Sequence, residues 1–598
     1  MIKKELIKTK FDIKKNIKDQ NVIFLGNHCN FFDYKNNILN EQYKTEDCIW
    51  KNYDIFLKDY DYLDKLYNKI FNSLLKSLNF FHIFYKKNSF WEPIIGPWIM
   101  VFCVNLYTKW KISMFQSENE NLFTEIDSLE DYKFNFLSIE DYKRKISHDS
   151  FNHIIFCKIF LFLKKNKNCK VDIVEIFENK NKSEILRNMR LTQYPSDKKP
   201  ISDFKNITKK VFLKLYSYFT KRNKIVILRN YLGSYNNLKL NLSLKQLPCF
   251  YTHNLNVKNL CKNKDRKDFT IKFNCENLFE KFLLEEIVHH IPETFLEKFE
   301  STCNEIYKSG LPTKPQKIFI TNYQFNTFLN FYIGLTKDKG SKLFSAQHGG
   351  CVGQYDRHWS ENFEIKLSDK YFTYGWNSNA FPKKTLPIGF LKPIKKLKKY
   401  GNKNKKDILL IVKARFKYVG KLDSSCRSNY TFDYLENIYD FIDNLKDVYK
   451  KNLKIRLRDQ DLGWHEHQRF QLKFPNLKFD FGDSNIFKMM KKSRIILLTN
   501  LGTSYLEALA MNIPTVIIAN YEIEPIREDC KDLLNLLIDS KILHLNQLSA
   551  AKHIDLIYDD VNSWWFNRET QKNIEYFCNT YAKINININK ELKEILNK

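Results

Sequence analysis

A polar turn, Thr499-Asn500-Leu501-Gly502-Thr503-Ser504, separates an apolar run, Arg494 to Leu498, from a helix-forming stretch, Tyr505-Leu506-Glu507-Ala508-Leu509-Ala510. A glycine-containing turn at a helix start presents backbone N–H groups and the positive end of the helix dipole, which suits a phosphate. Asn500, Gly502, Thr503 and Ser504 are therefore candidate phosphate ligands, and Glu507, one turn on, could reach a ribose hydroxyl. The competing reading makes Thr503 an N-cap and Glu507 a carboxylate that offsets the dipole. A second loop, Ser345-Ala346-Gln347-His348-Gly349-Gly350-Cys351-Val352-Gly353, follows an apolar run. Three glycines in five residues let backbone approach a ligand closely. His348 in that loop is a candidate general base, or a group that steadies a departing phosphate. Its rival role is structural, bonded to a neighbouring carbonyl. Gln347, Gly349 and Gly350 complete this cleft loop, and Gly26 ends a short apolar run, Asn21 to Leu25, on the same side.

The third cluster is basic. Lys413-Ala414-Arg415-Phe416-Lys417 follows an apolar run, and Arg456 and Arg458 share one face of a strand by their spacing of two. Guanidinium groups at strand ends suit diphosphate or carboxylate in bidentate geometry, so Arg415 and Arg458 join the candidate donor site. Ion pairs with Asp459 or Asp461 are the alternative use. His28 and Asp33 are alternative bases to His348. His465-Glu466-His467 and His289-His290 lack HExxH spacing and a third ligand, so no metal site and no cofactor are expected. GxxxxGK[ST], GxGxxG and GxSxG are all absent, which argues against P-loop ATPases, dinucleotide-dependent dehydrogenases and α/β-hydrolases.

These residues need a scaffold that brings strand ends together. Helical spacing predicts helices over about 54–84 and 92–110. Residues 115–275 read as a helical or irregular insertion, with strand-like runs such as Lys224 to Leu228. From Phe279 the pattern is regular: helices near 279–290 and 293–308, then strands at 317–321, 342–346 and 370–373 with a helix at 323–336. Lys392 to Lys406 carries eight lysines, a proline and a glycine, a solvated linker. A second series follows, with strands at 407–412, 454–457, 494–498 and 515–519 and helices at 431–448, 484–492 and 503–511. Segments 526–539 and 547–583 are helical. The expected organisation is an acceptor-side α/β domain over 1–391, a linker over 392–406, a nucleotide-donor α/β domain over 407–545, and C-terminal helices over 546–598 packing back. Two Rossmann-like domains facing across a cleft resemble the plan of GT-B transferases.

Length and composition agree with two or more large domains, since 598 residues with 43% hydrophobic and 15% aromatic content can bury several cores. A formal charge of +30 points to anionic partners. No Arg-rich helix or RNP-like motif accompanies it, so no nucleic acid is expected, and an anionic membrane surface or anionic substrates are. Thirteen scattered cysteines without CxxC fit a reducing cytoplasm. The start, Met1-Ile2-Lys3-Lys4-Glu5, has no apolar signal core. The longest apolar stretch, Ile94 to Tyr107, falls short of the roughly 20 residues of a spanning helix. The expected place is cytoplasmic, peripheral at the inner face of the membrane.

Several segments together resemble the transferase family of bacterial O-antigen and surface-polysaccharide clusters: Phe24-Leu25-Gly26 with Cys29 and Asp33-Tyr34, Trp91 with Ile95-Gly96-Pro97-Trp98, Gln347-His348-Gly349-Gly350, Asp369 to Trp376, and Asn500 to Pro514. The Gln-His-Gly and Glu-Ala-Leu-Ala-Met-Asn-Ile-Pro segments are also similar to GT-B sugar transferases and to glycerophosphotransferases of cell-wall polymers. The resemblance implies transfer from a nucleotide-sugar donor to a glycan or lipid-linked glycan. A CDP-polyol phosphotransferase and a non-catalytic scaffold of polysaccharide assembly are the alternatives. Cys351-Val352-Gly353 departs from the Gly-Tyr-Gly-like run expected there.

Overall fold

The computed structural model describes residues 3–12, 21–30, 32–33, 38–39, 50–130, 132–176, 182–190, 215–250, 255–397, 405–425 and 430–598. Three parallel sheets organise them. The third, six-stranded sheet runs in the order Lys478–Asp480, Leu453–Arg456, Ile408–Ile411, Ile495–Leu498, Thr515–Ile518, Leu543–His544. Its central strands are continuous apolar runs buried on both faces, as a sheet covered by helices on each side requires. The second sheet runs Thr385–Leu386, Lys370–Phe372, Lys342–Ala346, Lys317–Ile320, Ile225–Leu228. These two face each other across a cleft, so the fold is α/β and GT-B-like.

The first sheet is the main departure from the expected outline. Strands Val22–Phe24, Lys4–Ile7, Leu122–Asp127 and Asp172–Ile176 form it in that order, all parallel. Two of its strands, and the edge strand Ile225–Leu228 of the second sheet, come from the segment read as an irregular insertion. Lys224 to Leu228 stood out there as a strand-like run, and the two strands of the first sheet were hidden for a physical reason. Asp172–Ile176 is a half-exposed edge strand with two carboxylates, and Leu122–Asp127, Leu-Phe-Thr-Glu-Ile-Asp, has neither a continuous apolar run nor a strict alternation. Helix Glu466–Lys473 and the short strands Lys478–Asp480 and Leu543–His544 likewise lack long apolar runs. Residues 398–404 of the basic linker lie outside the described residues.

The first and second sheets are joined through two 30-residue helices, Tyr53–His82 and Asn88–Ser117. Asn52 caps the former by accepting from the backbone N–H groups of Asp54 and Ile55. The latter extends well past the apolar stretch read from the sequence, because Gly96 and Pro97 are accommodated within it. Among the described residues it is the one helix long and apolar enough to cross a membrane, and 89% of its most apolar window is buried inside the protein. Trp91, Trp98, Phe102 and Leu106 fill the core around it.

Helix Thr327–Lys337 crosses this core helix at Gly334. A Cβ there would lie 2.6 Å from the Phe90 carbonyl oxygen and 2.9 Å from Ile94 Cδ1. Gly334→Ala is therefore expected to destabilise the fold by about 1–3 kcal/mol, the usual range for overpacking a filled core. A lowered urea midpoint would show it; an unchanged midpoint would mean that the crossing has slack.

Candidate functional site

The two glycine-bearing loops meet. The Gly350 N–H donates to Thr503 Oγ1 at 3.0 Å, and a Cβ on Gly350 would overlap the Gly502 carbonyl group. Glycine is required at 350 by this approach of backbone to backbone. Thr503 is the first residue of helix Thr503–Ala510, whose N-cap position is Gly502 with no side chain capping it. The Thr503 hydroxyl thus ties two domains together instead of capping its own helix. The helix start keeps its positive dipole end toward the gap.

Gln347 fixes the shape of its loop. Its amide nitrogen donates to the Gly349 and Val352 carbonyls, and its oxygen accepts from the Tyr374 N–H and the Trp376 indole. All four hydrogen-bonding positions of a buried amide are used, so the residue builds the loop and does not meet a ligand. Gly353 has a φ of +85°, and a Cβ there would run into the Trp376 ring.

A cavity of about 260 Å³ opens beside this contact, between the three sheets. Gly350 and Cys351 line it from the side of the second sheet, and Asn500, Gly502, Thr503, Arg415 and Arg458 from the side of the third. The loop Lys413 to Ser425 roofs it. That loop leaves strand Ile408–Ile411 and crosses to helix Asp149–Lys165 beside the first sheet. There Lys417 pairs with Asp149 at 2.9 Å and the Tyr418 hydroxyl donates to the same carboxylate at 2.6 Å. Lysine and arginine outnumber acids on the walls: Lys143, Lys413, Arg415, Lys417, Lys421 and Arg458 stand against Asp423. The cavity therefore favours an anion.

Arg415 is less free than its sequence position suggests. It pairs with Glu524 at 3.0 Å and lies over the Tyr434 ring. Glu524 also binds Lys413 and accepts from the Tyr355 hydroxyl at 2.9 Å. Two cations share one carboxylate, so the group keeps a net positive charge held in fixed geometry. Such preorganised charge costs little reorganisation when a ligand develops negative charge. Arg458 is half-exposed, with Asp459 at 3.8 Å, close to the ion pair weighed from the sequence.

His348 is half-buried at the edge of the same gap. Its Nδ1 lies 3.7 Å from the buried Glu364 Oε2, which also accepts from the Tyr371 hydroxyl at 3.3 Å. Burial, then Lys421, His358 and Arg229, pull His348 down to about 4, so its imidazole is neutral near pH 7. Burial pushes Glu364 up to about 8. A second histidine, His358, lines the cavity itself. Its Nδ1 lies 3.0 Å from the Glu361 N–H at the start of helix Trp359–Leu367, and its Nε2 lies 3.6 Å from Cys351 Sγ.

Other candidates fall elsewhere. His28 is buried behind the cavity wall, bonded through Nε2 to the Lys8 carbonyl at 2.9 Å and stacked on Phe156. Burial drives it to about 3, and it does not reach the cavity. Gly26 is extended, with φ −175°, a conformation open to any residue. Asp33 lies in the strand Phe32–Asp33, paired antiparallel with Ile38–Leu39; its side chain is outside the described residues. Glu507 is not at the cavity: it is buried and paired with Lys392 of the linker at 2.8 Å, because the fifth residue of this short helix faces the linker, not the gap. Ser504 is part of the helix start but not of the cavity wall. Sequence reasoning missed Glu364, His358, Glu524 and Tyr355. Only Tyr355 and His358 stood close enough to the glycine loop to be noticed. Among the described residues, no group of three or more His, Cys, Asp or Glu is placed to hold a metal.

The family model described as LIC12162 family transferase matches residues 5–596. A search of curated proteins gave no match. Among solved structures, the chain is similar to a mutant O-GlcNAc transferase from Thermobaculum terrenum at 8% identity, covering 84% of this chain and 89% of that one, TM-score 0.32. It is also similar to the glycosyltransferase SsfS6 of Streptomyces sp. SF2575 at 10% identity, covering 62% of this chain and 99% of that one, TM-score 0.26.

The Glu364 carboxyl gives a pH test. At about 8 in the folded chain and about 4.3 unfolded, it keeps a proton that unfolding releases. Its contribution to stability is full below the unfolded value and is lost as pH rises through the folded one. Glu364→Gln should flatten the fall in urea midpoint between about pH 5 and 8.5. An equal slope in the variant would assign that proton to another group.

Proposed function

The chain belongs to the LIC12162 family of transferases, and on that premise we propose that it transfers a sugar from a nucleotide-activated donor to a glycan acceptor. The observation that carries this reading is the junction of the two loops beside a cationic cavity. A donor diphosphate would lie against the N–H groups of the first turn at Gly502, Thr503 and Ser504, with Asn500 beside it. The Lys413–Arg415–Glu524 group and Arg458 would supply fixed positive charge. Leaving-group stabilisation is the central demand of such a reaction, since negative charge grows on the departing phosphate. Helix dipole and fixed cations meet it from this chain's own residues.

On the other side of the gap, neutral His348 would take the proton of the acceptor hydroxyl at Nε2. Its Nδ1 would face Glu364 Oε2, 3.7 Å away, which limits how the ring can turn. A pKa of about 4 leaves the ring with a free lone pair near neutrality, the state a base needs. Glu364 in this scheme is a positioning residue. A polyol phosphate from a CDP-linked donor would use the same anion site, and the donor decides between the two.

Thermal shift with UDP-, GDP-, dTDP-, CDP- and CMP-linked sugars should identify a stabilising donor by mass action. Turnover with CDP-polyols and none with sugar donors would select the phosphotransferase. With the productive donor, His348→Ala should cut kcat by about 10²–10⁴-fold, the usual worth of general base catalysis, and leave donor Kd within a few-fold. Arg458→Ala should weaken donor binding by roughly tenfold or more, as loss of a charge-assisted hydrogen bond does. Full activity in His348→Ala would remove the assigned base.

A further inference from the structure

Residues 215–250 surround the edge strand Ile225–Leu228 of the second sheet. This stretch contains Lys221, Arg222, Lys224, Arg229, Lys239 and Lys245 and not one Asp or Glu. It also exposes large apolar side chains: Leu215 is 67% exposed, Tyr218 75%, Phe219 68% and Tyr235 76%. Leu238, Leu242 and Phe250 add to the same stretch.

The elements that carry these groups are packed together. Helix Gly233–Ser243 buries Leu240 against Leu592 and Leu596 of the C-terminal helix Ile588–Asn597. That leaves Tyr235, Leu238 and Leu242, spaced by three and four, as an outward stripe with Lys239 beside it. The loop at 246–250 is tied to the segment before the strand: Asn223 donates to the Leu247 carbonyl at 2.7 Å, and the rings of Tyr216 and Phe250 lie 5.2 Å apart. Tyr218, Phe219 and Phe250 thus cluster near one end of the edge strand. Tyr235 sits near the other, where the helix starts beyond the strand's carboxyl end. The carboxyl end is the cleft side, since Arg229 follows it and is among the charges acting on His348.

We infer that this edge is a docking surface for an anionic lipid bilayer. Outward Tyr, Phe and Leu among the six cations of this stretch match an interface that is apolar at depth and negative at its surface. Tyrosine's ring seats at headgroup level while its hydroxyl stays in water, and lysine stems reach past it to phosphate. The placement also brings the His348 side of the cleft next to the bilayer. Docking of this kind is separate from the transfer reaction and does not rest on it, because its readout is binding.

The full chain should float with vesicles of phosphatidylcholine containing roughly 30% phosphatidylglycerol, an anionic surface. It should bind phosphatidylcholine alone at least about tenfold less, and lose most binding near 0.5 M salt, where the Debye length is only about 4 Å. The combined variant Tyr218→Ser, Phe219→Ser, Tyr235→Ser should reduce flotation by roughly tenfold, in line with the interfacial role of aromatic rings. Phe219→Trp gives a second measurement that does not depend on the triple variant folding: the emission of the introduced indole should shift to the blue when anionic vesicles are added. No binding of the wild-type chain, equal binding to neutral vesicles, or an unshifted emission from vesicle-bound Phe219→Trp protein would each overturn the proposal.

Discussion

The contact between the Gly350 backbone and the first turn at Gly502-Thr503 is the constraint on which the rest of the structure depends. Two loops from different sheets approach until no Cβ fits between them, and one hydrogen bond, Gly350 N–H to Thr503 Oγ1, joins them. Everything around them serves that approach. Gln347 uses all its hydrogen bonds to hold one loop, and the strand Ile495–Leu498 delivers the other at the carboxyl edge of its sheet. The ion pair Arg527–Glu361 at 2.6 Å and the Tyr505 hydroxyl on Gln354 clamp the two domains a little further out. Because this joint is rigid, the cavity beside it has walls of fixed charge, and fixed charge is what a departing phosphate needs.

The same logic explains why some candidate residues proved structural. Charged groups buried near a domain joint must be paired, because an unpaired buried charge is expensive. Arg415 with Glu524 and Glu507 with Lys392 are such pairs. The first still faces the cavity and keeps surplus positive charge through Lys413. The second holds the linker to helix Thr503–Ala510. His28 shows the neutral version: a buried ring with a carbonyl partner and an aromatic stack needs no charge.

The fold was legible where apolar runs are long. The strands Lys317–Ile320, Lys342–Ala346, Ile408–Ile411, Ile495–Leu498 and Thr515–Ile518, the helix start at Thr503 and the order of the two facing halves follow from alternation and spacing alone. Of the first sheet, Val22–Phe24 was visible as a short apolar run, whereas Leu122–Asp127 and Asp172–Ile176 were hidden because they are short and carry carboxylates. At the site, both loops were visible as glycine punctuation next to a buried strand. Their partners were not: Glu364 and Glu524 lie 16 and 109 residues from the groups they serve, His348 and Arg415, and look like ordinary surface carboxylates in the sequence. Long-range pairing of single charges leaves no local pattern to read.

Hydrogen–deuterium exchange with UDP, GDP, dTDP and CDP, each added alone, tests the central claim most directly. The account predicts that one nucleoside diphosphate slows amide exchange at Gly349 to Val352 and at Gly502 to Leu506 together, because both loops bound the phosphate site. Protection confined to other segments, or in one loop with the other unchanged at saturating nucleotide, would contradict it.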